Sequence, residues 1–96
     1  KRAEYLIDIE KDGGKARAEL EKALELNPGI PAIYSDMAAA YAREAQQNKT
    51  LIPLYIPIIV QFHRTYLSFG RLPGKEKYYN DSERFVEKAL ELNLAK

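Results

Sequence analysis

The sequence predicts an all-α chain of about five antiparallel helices, and three observations carry that prediction. Apolar residues recur at i, i+3, i+4 and i+7 through most of the chain, which is the period of an amphipathic helix. Clusters of Gly, Pro and Asn interrupt those stretches at 12–14, 27–29, 48–50 and 70–74. The heptapeptide Glu21-Lys22-Ala23-Leu24-Glu25-Leu26-Asn27 returns letter for letter from Glu87 to Asn93, 66 residues on, or two periods of 33. Repetition with a period in the low thirties means stacked helical hairpins.

Each element follows from its own residues. Residues 2–11 carry Ala3, Leu6 and Ile7 at helical spacing, and Asp12-Gly13-Gly14 then reads as a turn, because two glycines lose much backbone entropy inside a helix. From Lys15 the stripe Ala16, Leu20, Ala23, Leu24 predicts a second helix, with Glu19, Glu21, Lys22 and Glu25 on its other face. Asn27-Pro28-Gly29 stops it, since the residue before a proline is pushed out of the α region. Pro31 suits a first helical position, and Tyr34, Met37, Ala38, Tyr41 and Ala45 form the stripe of a third, Ala-rich helix to about Gln47. Its many small side chains allow a neighbouring helix close approach.

The run Leu51 to Phe62 is the most apolar in the chain and admits three readings. Twelve helical residues span about 18 Å against a bilayer core of about 30 Å, so a membrane span fails on length. A buried strand agrees with the β-branched content. A helix from about 53 to 69 agrees with a stripe that outlasts the apolar run, Tyr55, Ile58, Ile59, Phe62, Tyr66 and Phe69, with Pro53 and Pro57 near its first turn. The helix accounts for more of the residues. Gly70-Arg71-Leu72-Pro73-Gly74 is a loop, and Asn80 with Glu83 three residues later resembles a capping box. Phe85, Val86, Ala89, Leu90 and Leu92 then define a last helix to about Asn93.

Ninety-six residues make one domain, 1–96, with 46% hydrophobic and 30% charged residues, an ordinary globular balance. Fifteen Lys and Arg against fourteen Asp and Glu leave a net charge of +1, which gives no overall pull toward nucleic acid. The absence of Cys excludes disulfides, thiolate zinc sites and cysteine nucleophiles. No signal peptide or membrane span is visible, so a cytoplasmic address is the default expectation. The chain starts at Lys1 within a helical pattern, without an initiator Met, as a fragment of a longer protein would.

The residues around the repeated heptapeptide identify the kind of hairpin. Ala16, Leu20, Ala23 and Pro28 resemble the second helix of a tetratricopeptide repeat, with Leu20 in place of its aromatic residue. Tyr34, Met37, Ala38 and Tyr41 resemble the first helix of the next repeat, with Met for Leu and Ala for Gly. Residues 14–45 carry the match. At the end of the chain Ala89 keeps its place, while Ser82 replaces an Ala and Leu94 the terminal proline. The middle departs from the pattern: Ile56 stands where the family has Ala, flanked by two prolines. The resemblance implies a short right-handed solenoid of about two and a half repeats with a degenerate middle unit. It implies a scaffold or adaptor that binds a peptide or helix of a partner protein in a concave groove, without chemistry. Carried onto this sequence, the groove positions are Ala32, Ser35, Asp36, Ala39, Ala42 and Arg43. Ser35 and Ala39 stand where the family clamps a C-terminal carboxylate with Lys and Asn, so that mode is disfavoured.

Two other readings compete. In the first, the apolar helix 51–69 packs permanently on another subunit or a second copy, through Tyr55, Ile58, Ile59, Phe62 and Tyr66. In the second, the 64–79 region binds RNA or an acidic surface. Lys49, Arg64, Arg71, Lys75 and Lys77 against Glu76 give residues 49–77 a charge of +4, with Tyr66, Tyr78 and Tyr79 nearby for stacking. Five dispersed charges more often serve solubility, and nucleic acid is the weakest of the three partners. His63 is the sole histidine, and Ser35, Ser68 and Ser82 lie in no nucleophile motif. No catalytic residue, metal or cofactor is therefore expected. Asn48-Lys49-Thr50 and Asn80-Asp81-Ser82 match the glycosylation acceptor pattern but read better as helix caps.

Overall fold

A computed structural model describes residues 2–9 and 12–92. Five α-helices follow one another: α1 Arg2–Asp8, α2 Gly13–Leu26, α3 Pro31–Gln47, α4 Ile52–Ser68 and α5 Glu76–Glu91, with a 3-10 turn at Lys49–Leu51 before α4. No strand occurs among the described residues, so the strand reading of 51–62 gives way to helix. No helix is long and apolar enough to cross a membrane. The expected last residue of the final helix, Asn93, and the Leu94 comparison lie outside the described residues.

α3 is the central element. Its Ala-rich surface packs against all four other helices, most extensively α4 and then α2. Each helix also packs on its successor, and α1 and α5 both lie against α3. Two apolar clusters flank α3. One gathers Leu6, Ile7, Ala16, Leu20, Ile33, Met37 and Tyr78, the other Ala38, Ala42, Ala45, Ile52, Ile56, Ile59, Val86 and Ala89. Tyr41 and Phe62 border both.

The α1–α2 junction differs from the expected turn. Asp12 caps α2, its Oδ1 accepting from Lys15 N–H at 3.0 Å, and the helix begins at Gly13. The first turn lacks intrahelical N–H partners anyway, so glycine costs less there than further in. Gly13 also has a packing role. A Cβ at this position would lie 2.5 Å from both the Ala40 carbonyl oxygen and the Glu44 nitrogen, so only glycine lets α2 start pressed on the backbone of α3.

Asn27-Pro28-Gly29 ends α2 as expected, with Asn27 Oδ1 accepting from Gly29 N–H at 3.1 Å. Pro31 opens α3. Asn48 caps the 3-10 turn, its Oδ1 accepting from Thr50 N–H and Thr50 Oγ1–H at 3.2 and 2.7 Å. α4 starts one residue before the predicted 53. Pro57 lies inside it, and Pro53 and Pro57 are both exposed, on the outer side of the helix rather than in the core. Gly70 and Gly74 turn the following loop with φ of 91° and 85°, the left-handed region that glycine enters freely.

α5 corrects the expected cap at Asn80. The helix begins a turn earlier, after Lys75, and Asn80 is an exposed interior position. Tertiary burial outweighs the local signal: Tyr78 and Tyr79 are drawn into the core, and they need helical backbone to face α1, α3 and α4. The helices that carry the two heptapeptides bury matching positions ahead of the repeat, while within it Ala23 and Leu24 are half-buried where Ala89 is buried and Leu90 is exposed. Ala16 and Leu20 on α2 and Ser82 and Val86 on α5 are buried at matching positions, and Leu26 and Leu92 are exposed at the matching ends. Only α3 and α4 intervene between them, where two regular hairpin periods would place three helices.

Candidate functional site

A cleft runs over α3 between the end of α1 and the first half of α5. Ala39 and Ala42 with Ile7 form its apolar floor, and Asp8, Arg43, Gln46, Lys77, Tyr78, Asp81 and Ser82 its polar walls. Its free volume of about 30 Å³ suits a water or two, so this part holds no ligand side chain. Beyond Gln46 it opens into a trough of about 430 Å³ between α3 and α5, lined by Arg43, Gln46, Asp81, Arg84, Phe85 and Lys88.

The walls are tied in place. Tyr78 O–H donates to Asp8 Oδ2 at 2.8 Å, which binds α1 to α5, and burial together with that carboxylate pushes the phenol above its ordinary range. Lys77 Nζ and Arg84 Nη2 both donate to Asp81, at 2.8 and 2.5 Å. Arg43 Nη1 donates to Gln46 Oε1 at 3.2 Å, and its Nε is enclosed without a partner.

The groove positions implied by the resemblance fall into two sets. Ala39, Ala42 and Arg43 line the cleft. Ser35 and Asp36 do not: they are 1% and 7% exposed, and Lys75, just before α5, with Glu4 of α1 closes over Asp36. Lys75 Nζ donates to Asp36 Oδ1 at 2.8 Å and to Glu4 Oε2 at 2.5 Å, locking three segments with one ammonium. Burial pushes the Asp36 carboxyl up, against the pull of Lys75. Ala32 is half-buried at the start of the same helix.

The predicted interface on α4 turns inward. Tyr55, Ile59 and Tyr66 are buried in the chain's own core, and Ile58 and Phe62 are half-buried. Aromatic contacts run Tyr55–Tyr41–Phe62–Tyr34–Phe69 along the α3–α4 seam, with neighbouring ring centroids 4.7 to 6.2 Å apart. The Tyr66 hydroxyl oxygen accepts from Leu72 N–H at 2.8 Å and holds the loop. Three of the five basic residues of the basic region have partners within the chain, while Lys49 and Arg64 are exposed. Lys75 is committed to Glu4 and Asp36, Lys77 to Asp81, and Arg71 lies over the Tyr79 ring, 4.7 Å from its centroid. Tyr66, Tyr78 and Tyr79, the expected stacking residues, are buried.

His63 packs between α4 and α5, its Nε2 2.6 Å from Ser82 Oγ and its ring 4.7 Å from that of Tyr79. Ser82 Oγ donates to the Tyr78 carbonyl at 2.8 Å, which leaves its lone pair for the Nε2–H of a neutral imidazole. Burial pushes the imidazole below its ordinary range, opposed by Glu83. Among the described residues no group of His, Asp and Glu is arranged to hold a metal ion.

Sequence reasoning missed Asp8, Gln46, Asp81, Arg84, Phe85 and Lys88 as lining residues. The signal was present on α5: Lys77, Asp81, Arg84 and Lys88 stand at i, i+4, i+7 and i+11, one face of a helix that starts at 76 and not at 80.

No protein-family model matches this chain, and no curated protein or solved structure matches it significantly.

Proposed function

We propose that this chain is a helical-repeat module of tetratricopeptide type that binds a peptide or helix of a partner protein and performs no chemistry. The observation that carries the proposal is that three alternate helices, α1, α3 and α5, line one cleft that widens into an open trough. A short solenoid of stacked hairpins sets its first helices side by side, and the match over residues 14–45 assigns α3 that role, while α5, which carries the second-helix pattern, supplies the opposite wall of the cleft. The partner would lie along the trough, held by shape, by Phe85 and by polar anchors on α3 and α5. A random library of twelve-residue peptides displayed on phage tests the proposal. Peptides that bind the folded chain one to one, at micromolar affinity or better, are the expected result. Repeated rounds that recover no binder would overturn it.

A further inference from the structure

Resting on the peptide-binding reading, we propose that the trough between α3 and α5 selects an acidic segment of the partner and seats a carboxylate side chain against Arg43. Charge is unevenly satisfied across this molecule. Arg17, on α2, has Glu44 at 2.9 Å and Glu21 at 3.2 Å. Arg43 has neither kind of partner: its one hydrogen bond goes to the neutral amide of Gln46, its Nε is enclosed with no acceptor, and no carboxylate among the described residues pairs with it. The Nη groups of this half-buried guanidinium, satisfied within the chain only by the neutral Gln46 amide oxygen, are the donors left for a ligand carboxylate, whose two oxygens can accept from them.

The rest of the lining has the same bias. The trough carries Arg43, Arg84 and Lys88 against the single carboxylate of Asp81, and Asp81 is already shared between Lys77 and Arg84. Lys88 forms no ion pair among the described residues. Phe85, half-buried in the floor, offers one apolar contact beside the charged rim. The ends of the trough decide between an acidic peptide and a nucleic acid. Asp8 stands in the adjoining cleft, and Glu87 and Glu91 stand with Arg84 and Lys88 on the outer side of α5. A polyanion with a phosphate at every nucleotide would run into these carboxylates. A peptide can place one or two acidic side chains at Arg43 and Lys88 and neutral residues elsewhere.

Sequencing the peptides selected on the wild-type chain, then titrating the best of them, tests this. Enrichment of Asp and Glu is expected. The best peptide should lose about tenfold in affinity when its acidic residues become Asn and Gln, and about tenfold again for the unmodified peptide on Arg43→Gln. Lys88→Glu, at an exposed position, should weaken binding severalfold even if Arg43→Gln disturbs the fold, and Lys22→Gln on α2 should change nothing. Added salt should weaken the acidic peptide more than its amide counterpart. Selected peptides with no acidic excess, bound equally by wild type and Arg43→Gln, would overturn this inference and leave the peptide-binding reading standing. Failure to select any peptide would overturn both. Tighter binding of a twelve-residue oligouridylate through the same residues would assign the trough to nucleic acid and overturn the acidic-peptide inference.

Discussion

Gly13 and Gly14 are neighbours with opposite requirements. A methyl group at Gly13 would be driven into the backbone of α3, whereas at Gly14 the nearest atoms, all side-chain atoms of Asp12 and Glu44, lie 3.7 Å or more away. Gly13→Ala is therefore expected to cost about 1–3 kcal/mol through overpacking. Gly14→Ala should be neutral or stabilising by up to about 1 kcal/mol, since alanine loses less entropy in a helix. Urea unfolding of the two variants checks both signs. The Asp12-Gly13-Gly14 pattern was legible as a boundary. That the first glycine serves contact with α3 was not, because the atoms it must avoid lie 27 and 31 positions away, at Ala40 and Glu44.

His63 sets a pH dependence at the same scale. Its folded imidazole protonates less readily than the unfolded one, so between the lowered folded value and the ordinary 6.5 the unfolded chain holds the extra proton. The stability it contributes is complete above about pH 6.5 and is lost as pH falls below that. Asp36 acts in the opposite sense: its raised carboxyl takes up a proton more readily in the folded chain, so acid is less costly there. Comparing wild type with His63→Gln in urea at pH 7.5 and 5.5 isolates the histidine. The gap between the two proteins should narrow at the lower pH.

At the scale of elements, the start of α5 is governed by what its first turns touch. Lys75 bridges Glu4 of α1 and Asp36 of α3, both Lys75 and Asp36 having side chains little more than a tenth exposed, and Tyr78 reaches Asp8. Lys75→Met would leave Asp36 buried without its cation, and a cost of about 3 kcal/mol is expected from thermal unfolding. The double variant with Asp36→Leu should recover much of that loss, since a buried ion pair replaced by apolar groups is often neutral. Helices α2, α3 and α4 were legible within a few residues because their stripes and their Pro and Asn boundaries agree with the tertiary packing. α5 was legible only from its middle onward. The Asn80–Glu83 signal is a local pattern, and the burial of Tyr78 and Tyr79 that overrides it depends on α1, α3 and α4.

The whole molecule rests on α3 serving every neighbour at once. The alanines that announced close packing in the sequence are the ones buried at 38, 39, 40, 42 and 45. The apolar length of α4 was legible, but which side of it faces inward was not. Tyr55, Ile59 and Tyr66 are spent on the chain's own core, while Leu54 remains 63% exposed on the outer face. Light scattering on a sizing column is expected to give a monomer near 11.0 kDa across a hundredfold dilution. Dimers that grow with concentration would return α4 to the role of an interface. The trough was half legible: Arg43 was among the expected groove residues, but the α5 wall required knowing where that helix begins.

The most direct test of the functional account is to locate a selected peptide on the labelled chain by its amide shifts. Changes concentrated at Arg43, Gln46, Asp81, Arg84 and Lys88, with α2 and the outer face of α4 unmoved, are the predicted result. Shifts centred on Pro53, Leu54 and Pro57, with the α3–α5 trough silent, would contradict it.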